Sequence, residues 1–333
     1  MTTNPSNPAN ATSLPPTDLL DNGAVWTPEI DRLLQAVAEQ IRLDQPGMIV
    51  SGPQRSGKSR ACDYLTAVLS DTLAYPVATV KWTIPQEPFT TSRPFFQERM
   101  LQSGSRAIHH RDLAVIRDRF FNHLAELTTS GGAMRLVIVV DEAQNLERAE
   151  YALLVFIFNE LERRRLRPFI LLVGQPELNS IADQWMAAGA QQMVGRFSTR
   201  YHEYRGIRLD DLEQVLESFD DDSEGVETCA SYRTSPTAFA DGWRLKSLGP
   251  LMRDAIRQVA AAQNVQEEVY LPMQYLRSCL LAILYRIFQA RLRPEVFTAA
   301  DAIACVRSSN FAAVLQYYVQ RSGGAEGRTA KGG

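Results

Sequence analysis

Ile49-Val50-Ser51-Gly52-Pro53-Gln54-Arg55-Ser56-Gly57-Lys58-Ser59 decides how this chain folds. A short apolar run meets two glycines at the spacing G-x-x-x-x-G, and Lys58-Ser59 then opens a helical pattern. In that arrangement the glycines let the backbone curl until its amides face phosphate oxygens. The start of the helix adds the positive end of its dipole. Lys58 is placed to reach terminal phosphates, and the Ser59 hydroxyl to ligate Mg²⁺. Pro53, Gln54, Arg55, Ser56 and Arg60 line or flank the same loop and complete the set of candidate nucleotide contacts with Gly52 and Gly57.

Further strand-like runs lie at 76–84, 136–140 and 169–173, with helical patterns at 59–73, 112–127 and 148–165 between them. A first helix is expected from Thr27-Pro28, with Ile30, Leu33, Leu34, Val37 and Ile41 on one face. Strands alternating with helices predict a parallel sheet covered by helices, an α/β fold. The run at 136–140 ends in Asp141-Glu142. One carboxylate at such a strand end can hold Mg²⁺ and its neighbour can activate water. We assign Asp141 to the metal and Glu142 to the water. The next strand ends in Gly174-Gln175-Pro176-Glu177, which puts the Gln175 amide beside that pair, in reach of a terminal phosphate or the attacking water.

The 333 residues carry 35 basic and 38 acidic side chains, for a net charge of −3, with 45% hydrophobic and 22% charged residues. That composition excludes a wholly disordered or fibrous chain and a globally cationic nucleic-acid coat, though not a local basic surface. The longest apolar run, 151–158, is far shorter than a bilayer span, so no membrane association is expected. The first 25 residues hold no Lys or Arg, so no signal or transit peptide is expected there. Cys62, Cys229, Cys279 and Cys305 are widely spaced, which fits buried thiols in a reducing, cytoplasmic setting. Residues 1–22 and 321–333 read as loose tails, 23–225 as the nucleotide-binding core and 226–320 as a smaller helical region, with helices at 247–262, 272–291 and 299–320. The acidic run at 217–227 reads as a solvated loop.

The set 52–59, Asp141-Glu142 and 174–178 resembles the AAA+ ATPases, whose fold is a P-loop NTPase core with a C-terminal helical lid. More narrowly, the strings DEAQNL at 141–146 and VGQPEL at 173–178 resemble the transposition regulators TniB, TnsC and MuB. The resemblance covers about residues 25–260. It implies a bacterial protein that binds ATP and Mg²⁺, forms a homo-oligomeric ring or filament on double-stranded DNA through the phosphate backbone, and passes that target to a transposase. A TniQ-type target-selection protein, RNA-guided in CRISPR-associated transposons, is a further implied partner, and hydrolysis dismantles the oligomer. It also implies an arginine that reads the neighbouring subunit's nucleotide, matched here by Arg196 and, second, Arg200. A lid arginine over the nucleotide is matched by Arg244, with Lys246 and Arg253 as competitors. DNA contacts are implied between the second strand and the acidic strand, where Arg93, Arg99, Arg106, Arg111, Arg117 and Arg119 gather; Arg93, Arg106, Arg111 and Arg119 are the chosen candidates. His109-His110 lack the further ligands a metal site needs.

Two other readings compete. A replication initiator or helicase loader would favour a C-terminal winged helix, and 299–320 reads instead as helix without a β-hairpin. A nucleotide-switched signalling scaffold would carry additional effector domains, for which this length leaves no space.

Overall fold

A computed structural model describes residues 19–20, 25–106, 109–187, 196–197, 200–223, 225–289 and 294–322. They form two compact units, one of Pro28–Ile207 and one built mainly of Arg208–Val319.

The first unit is a five-stranded parallel sheet. Its strands are β1 (Gly47–Ser51), β2 (Val77–Thr83), β3 (Arg135–Asp141), β4 (Arg167–Gly174) and β5 (Tyr201–Glu203), in the spatial order β2-β3-β4-β1-β5. Every residue of β3 and all but the first of β4 are buried, as continuous apolar strands covered on both faces require. Leu136, Ile138 and Val140 face one core with Trp82, Phe95, Phe96, Phe120 and Leu154. Val137 and Val139 face the other with Leu33, Val37, Cys62, Leu65 and Leu69, the alternation a strand imposes. Helices α1 (Pro28–Arg42) and α2 (Lys58–Leu73) cover that second face, while α3 (Ser92–Gln102), α4 (Leu113–Ser130) and α5 (Arg148–Arg163) cover the first. Two of these elements leave little trace in the sequence. Strand β5 is only three residues long, and α3 carries Pro94 with an adjacent Phe95-Phe96 pair instead of a helical apolar period.

The second unit is helical, with Leu212–Glu217, Gly249–Ala261, Met273–Gln289, Ala299–Ser308 and Phe311–Ser322 as its larger pieces. It differs from the sequence reading in four respects. The stretch 299–320 is two helices, broken where Asn310 takes a left-handed φ of 62°, a conformation Asn tolerates better than most residues. The unit begins at Arg208, ahead of residue 226, because Leu212, Val215 and Leu216 are buried within it and Gly249 packs directly on Glu213. The acidic run is anchored in part: the Asp220 carboxylate accepts from the Ser231 amide at 2.9 Å and the Leu245 amide at 2.7 Å. Finally, Leu19 and Leu20, assigned to a loose tail, are fully buried. The rest of 1–22 (residues 1–18 and 21–22) and residues 323–333 lie outside the described residues. Among the described residues, no helix is long and apolar enough to cross a membrane.

Candidate nucleotide-binding site

Parallel strands end on the same side, so β1, β3 and β4, adjacent in the sheet, deliver residues 52–58, 141–144 and 174–175 to one edge. Helix α2 starts at Lys58, directly after the loop. Arg55 and Gly57 hold positive φ values of 61° and 107°, which turn the loop back over the helix end.

Three features fit this loop to a phosphate chain. A Cβ on Gly52 would lie 2.0 Å from the Tyr204 carbonyl, so only glycine allows the backbone this approach. The Ser56 hydroxyl is buried and has no hydrogen-bond partner. The Lys58 ammonium donates to the Gly52 and Pro53 carbonyls at 2.8 and 2.7 Å rather than to a carboxylate. Burial pushes Lys58 down to about 8, against the opposing pull of Glu142 and Asp141. Gln54, Arg55, Ser59 and Arg60 are exposed.

Asp141 is buried at the end of β3, with one oxygen accepting from the Glu142 amide at 3.0 Å. Its other oxygen lies 3.6 Å from the Lys81 ammonium. Glu142 sits in a left-handed conformation, φ 56° and ψ 35°, a strained setting for a side chain of this size. Its carboxylate accepts from the Gln144 amide nitrogen at 2.6 Å, and the Gln144 amide oxygen accepts from the Gln175 backbone N–H at 3.1 Å. A Cβ on Gly174 would meet that Gln144 oxygen at 2.5 Å, so a side chain here would push the Gln144 amide aside. The Gln175 side chain in turn accepts from Gln54 of the loop at 2.8 Å. A continuous chain of contacts therefore runs from the proposed base to the phosphate loop. Sequence alone assigns no role to Lys81 or Gln144. A lone cation inside the apolar strand 77–83 is the available signal for the first, and the string at 141–146 for the second.

The arginines fall into separate places. Arg196 donates to Asn159 and lies 5.5 Å from the Phe158 ring, beside a cleft of about 330 Å³ that Asp44, Pro46 and Arg167 also line. Those residues precede β1 or open β4, so Arg196 sits at the far end of the strands from its own phosphate loop. At about 3.3 Å per residue, five-residue β1 separates the two ends by roughly 16 Å. Arg200 is exposed, and its carbonyl accepts from Ile49. Arg244, in the second unit, lies over the Phe239 ring at 3.6 Å and donates to the Phe239 and Trp243 carbonyls. Lys246 pairs with Glu217 and Arg253 with Glu213.

Arg93, Arg106 and Arg111 are exposed, and Arg119 is half-buried with its guanidinium donating to the His109 carbonyl. Arg99 and Arg117 leave the DNA-facing group. Arg99 is fully buried, lies over Phe89 and Phe95, and donates to the Thr83 carbonyl at 3.0 Å. Arg117 lies against Phe96 and Phe156. Aromatic faces attract guanidinium groups inward, which a count of charges along the chain does not register.

A family model described as "AAA domain" matches residues 41–182. The fold is that of the AAA+ P-loop NTPases, with a C-terminal helical region. Comparison with curated proteins gives no match. Among solved structures, the chain is similar to the Aeropyrum pernix ORC2 protein, at 13% identity over 89% of this chain and 98% of that one, TM-score 0.45. It is also similar to domain III of the Thermotoga maritima replication initiation protein DnaA, at 11% identity over 87% and 98%, TM-score 0.44. A chain of the E. coli MS115-1 HORMA:CdnC:Trip13 complex gives 10% identity over 84% and 87%, TM-score 0.47. Likeness this distant carries no function across.

Proposed function

We propose that this protein is an ATPase whose nucleotide state controls its assembly on double-stranded DNA, serving as a regulator of transposition. The supporting observation is the contact chain Glu142–Gln144–Gln175–Gln54, which links the proposed water-activating carboxylate to the phosphate loop. Loop amides, Lys58 and the Ser56 hydroxyl hold the β- and γ-phosphates, and Ser59 and Asp141 supply protein oxygens to Mg²⁺. The metal, when bound, offsets charge on the phosphates and fixes their geometry. Glu142 orients the attacking water and accepts its proton, and Gln175 turns from Gln54 towards the γ-phosphate. A loss of that phosphate is therefore felt at the tips of both β3 and β4.

Arg196, about a strand length from its own loop, is suited to a neighbour's nucleotide instead. Each site is then completed by a second copy of the chain, which makes oligomerisation depend on ATP. Arg200 is the second candidate for that role, and Arg244 the lid arginine once freed from its two carbonyls. Arg93, Arg106 and Arg111, with Arg119 beside them, give a cationic surface for phosphate-backbone contact without base reading. The transposition process itself is supported by the strings at 141–146 and 173–178, and it carries with it a transposase and a TniQ-type protein as partners.

Electron microscopy of the full chain with duplex DNA and a slowly hydrolysed ATP analogue tests this reading. Regular, length-dependent assemblies are expected for the wild type and none for Lys58→Ala. Assembly without nucleotide, or only at one defined DNA sequence as an initiator would show, overturns it.

A further inference from the structure

Lys81 stands where a metal is expected to approach. It lies on β2, two residues before Thr83, the register partner of Asp141. Val80 and Trp82 point into the core formed with α3 and α4, so Lys81 emerges on the opposite face, against α2. There its ammonium meets three oxygens: the Ser59 carbonyl at 3.2 Å, Asp63 Oδ1 at 2.6 Å and Asp141 Oδ2 at 3.6 Å. Ser59 and Asp63 are one helical turn apart and share a face of α2. One of the three groups around this ammonium, the Asp141 carboxylate, is thus itself assigned to Mg²⁺. A second is the backbone carbonyl of Ser59, whose hydroxyl carries the other assignment, and the third, Asp63, has no part in it.

We propose that Lys81 is a resident counter-cation for Asp141, which Mg²⁺ must displace, with Asp63 as the seat to which it withdraws. The inference rests on the assignment of Asp141 and Ser59 to Mg²⁺. A buried carboxylate left without a cation is costly, so the nucleotide-free site gains from an ammonium beside it. The same ammonium repels a divalent ion seeking that oxygen. Lys58, held within the loop, adds a second positive charge nearby. Metal arriving alone faces both cations, whereas metal arriving with a polyphosphate brings the negative charge that offsets them. Asp63 keeps Lys81 close when it moves, since its carboxylate is the nearest of the three oxygens and is half exposed. The device therefore favours entry of metal and nucleotide together over entry of metal first.

Mn²⁺, counted as the free ion by electron paramagnetic resonance, probes this in the full chain without nucleotide. Removing one unit charge within a few ångströms of a divalent ion is expected to tighten binding about tenfold in Lys81→Met. Lys81→Arg keeps the charge and is expected to stay within about twofold of wild type. Asp63→Asn removes the alternative seat and is expected to weaken Mn²⁺ binding severalfold. With ADP or a slowly hydrolysed ATP analogue present, the gap between Lys81→Met and wild type should shrink to under about threefold, because the phosphates offset the ammonium.

Equal Mn²⁺ affinity for wild type and Lys81→Met, in proteins with matching thermal unfolding, overturns the counter-cation role. A purely structural tether between β2 and α2 would lower the melting temperature and leave the metal series flat, which overturns it as well. Wild type that binds Mn²⁺ but no nucleotide overturns the nucleotide reading and the co-entry argument, while the nucleotide-free series still reports on Lys81 beside Asp141.

Discussion

The strand-end cluster and the arginine-bearing segment at 93–119 treat their polar side chains in opposite ways. At the ends of β1, β3 and β4, residues far apart in sequence are tied to one another: Gln54 to Gln175, and Gln175 to Gln144, which also holds its near neighbour Glu142. Along 93–119, residues close in sequence are dispersed. Arg99 is enclosed, Arg117 lies between two phenyl rings, and Arg93, Arg106 and Arg111 face solvent. A parallel sheet gathers every strand's last residue onto one edge, whereas a helix distributes successive residues around its circumference. Convergence of polar side chains is thus a property of the topology, and a high count of one charge within a segment is not a surface.

The largest expected effect tests the gathered side of this comparison. Glu142→Gln keeps the acceptor that Gln144 binds but removes the base. ATP turnover should fall by about 10²–10⁴-fold with nucleotide affinity nearly kept, as measured by phosphate release alongside binding of a fluorescent ATP analogue. Turnover within a few-fold of wild type would detach Glu142 from the chemistry and reduce the contact chain to packing.

How much of each region could be read in advance follows from the same contrast. The placement of Lys58, Asp141 and Glu142 was legible because it depends on neighbours in sequence, a glycine loop before a helix and an acid pair after an apolar strand. The bond joining Gln144 to Gln175 was not: Gln175 was expected beside the acid pair, but nothing in the string at 141–146 tells which side chain reaches across to β4. Lys81 was hidden similarly, since its partners Ser59, Asp63 and Asp141 come from two other elements. The strands of the sheet were legible wherever burial on both faces forced a continuous apolar run. Strand β5, three residues long with partly exposed side chains, had no such run to show. The break at Asn310 was invisible for another reason: a single left-handed residue interrupts the helix without interrupting the apolar periodicity around it.

An intermediate effect separates the exposed arginines from the enclosed ones. Replacing Arg93, Arg106 and Arg111 together with Gln should lower the slope of log affinity against log salt for duplex DNA by about 2 to 3, near 0.9 for each phosphate left without its cation. Binding should weaken alike on unrelated sequences, because phosphate contacts carry no base information. An unchanged salt slope would move the DNA surface off this segment altogether.

The smallest expected effect is the most discriminating. Arg99 donates one hydrogen bond, to the Thr83 carbonyl, and its Nε and Nη2 atoms are buried without partners. Burial pushes its guanidinium down to about 10, while Glu98 and Glu150 pull it back up. A methionine of similar length would forfeit that bond and the attraction to Phe89 and Phe95, together worth about 1–2 kcal/mol. It would also remove the cost of holding a cation away from water, and exchanges of this kind are often neutral or stabilising by about 1–4 kcal/mol. The two terms nearly cancel, so Arg99→Met should unfold within a few degrees of wild type by calorimetry and bind DNA with the wild-type salt slope. A slope reduced as much as that of one exposed arginine would mean that Arg99 swings out to meet phosphate. The aromatic pocket would then be a resting place for a DNA contact, and burial along 93–119 would no longer divide structural arginines from functional ones.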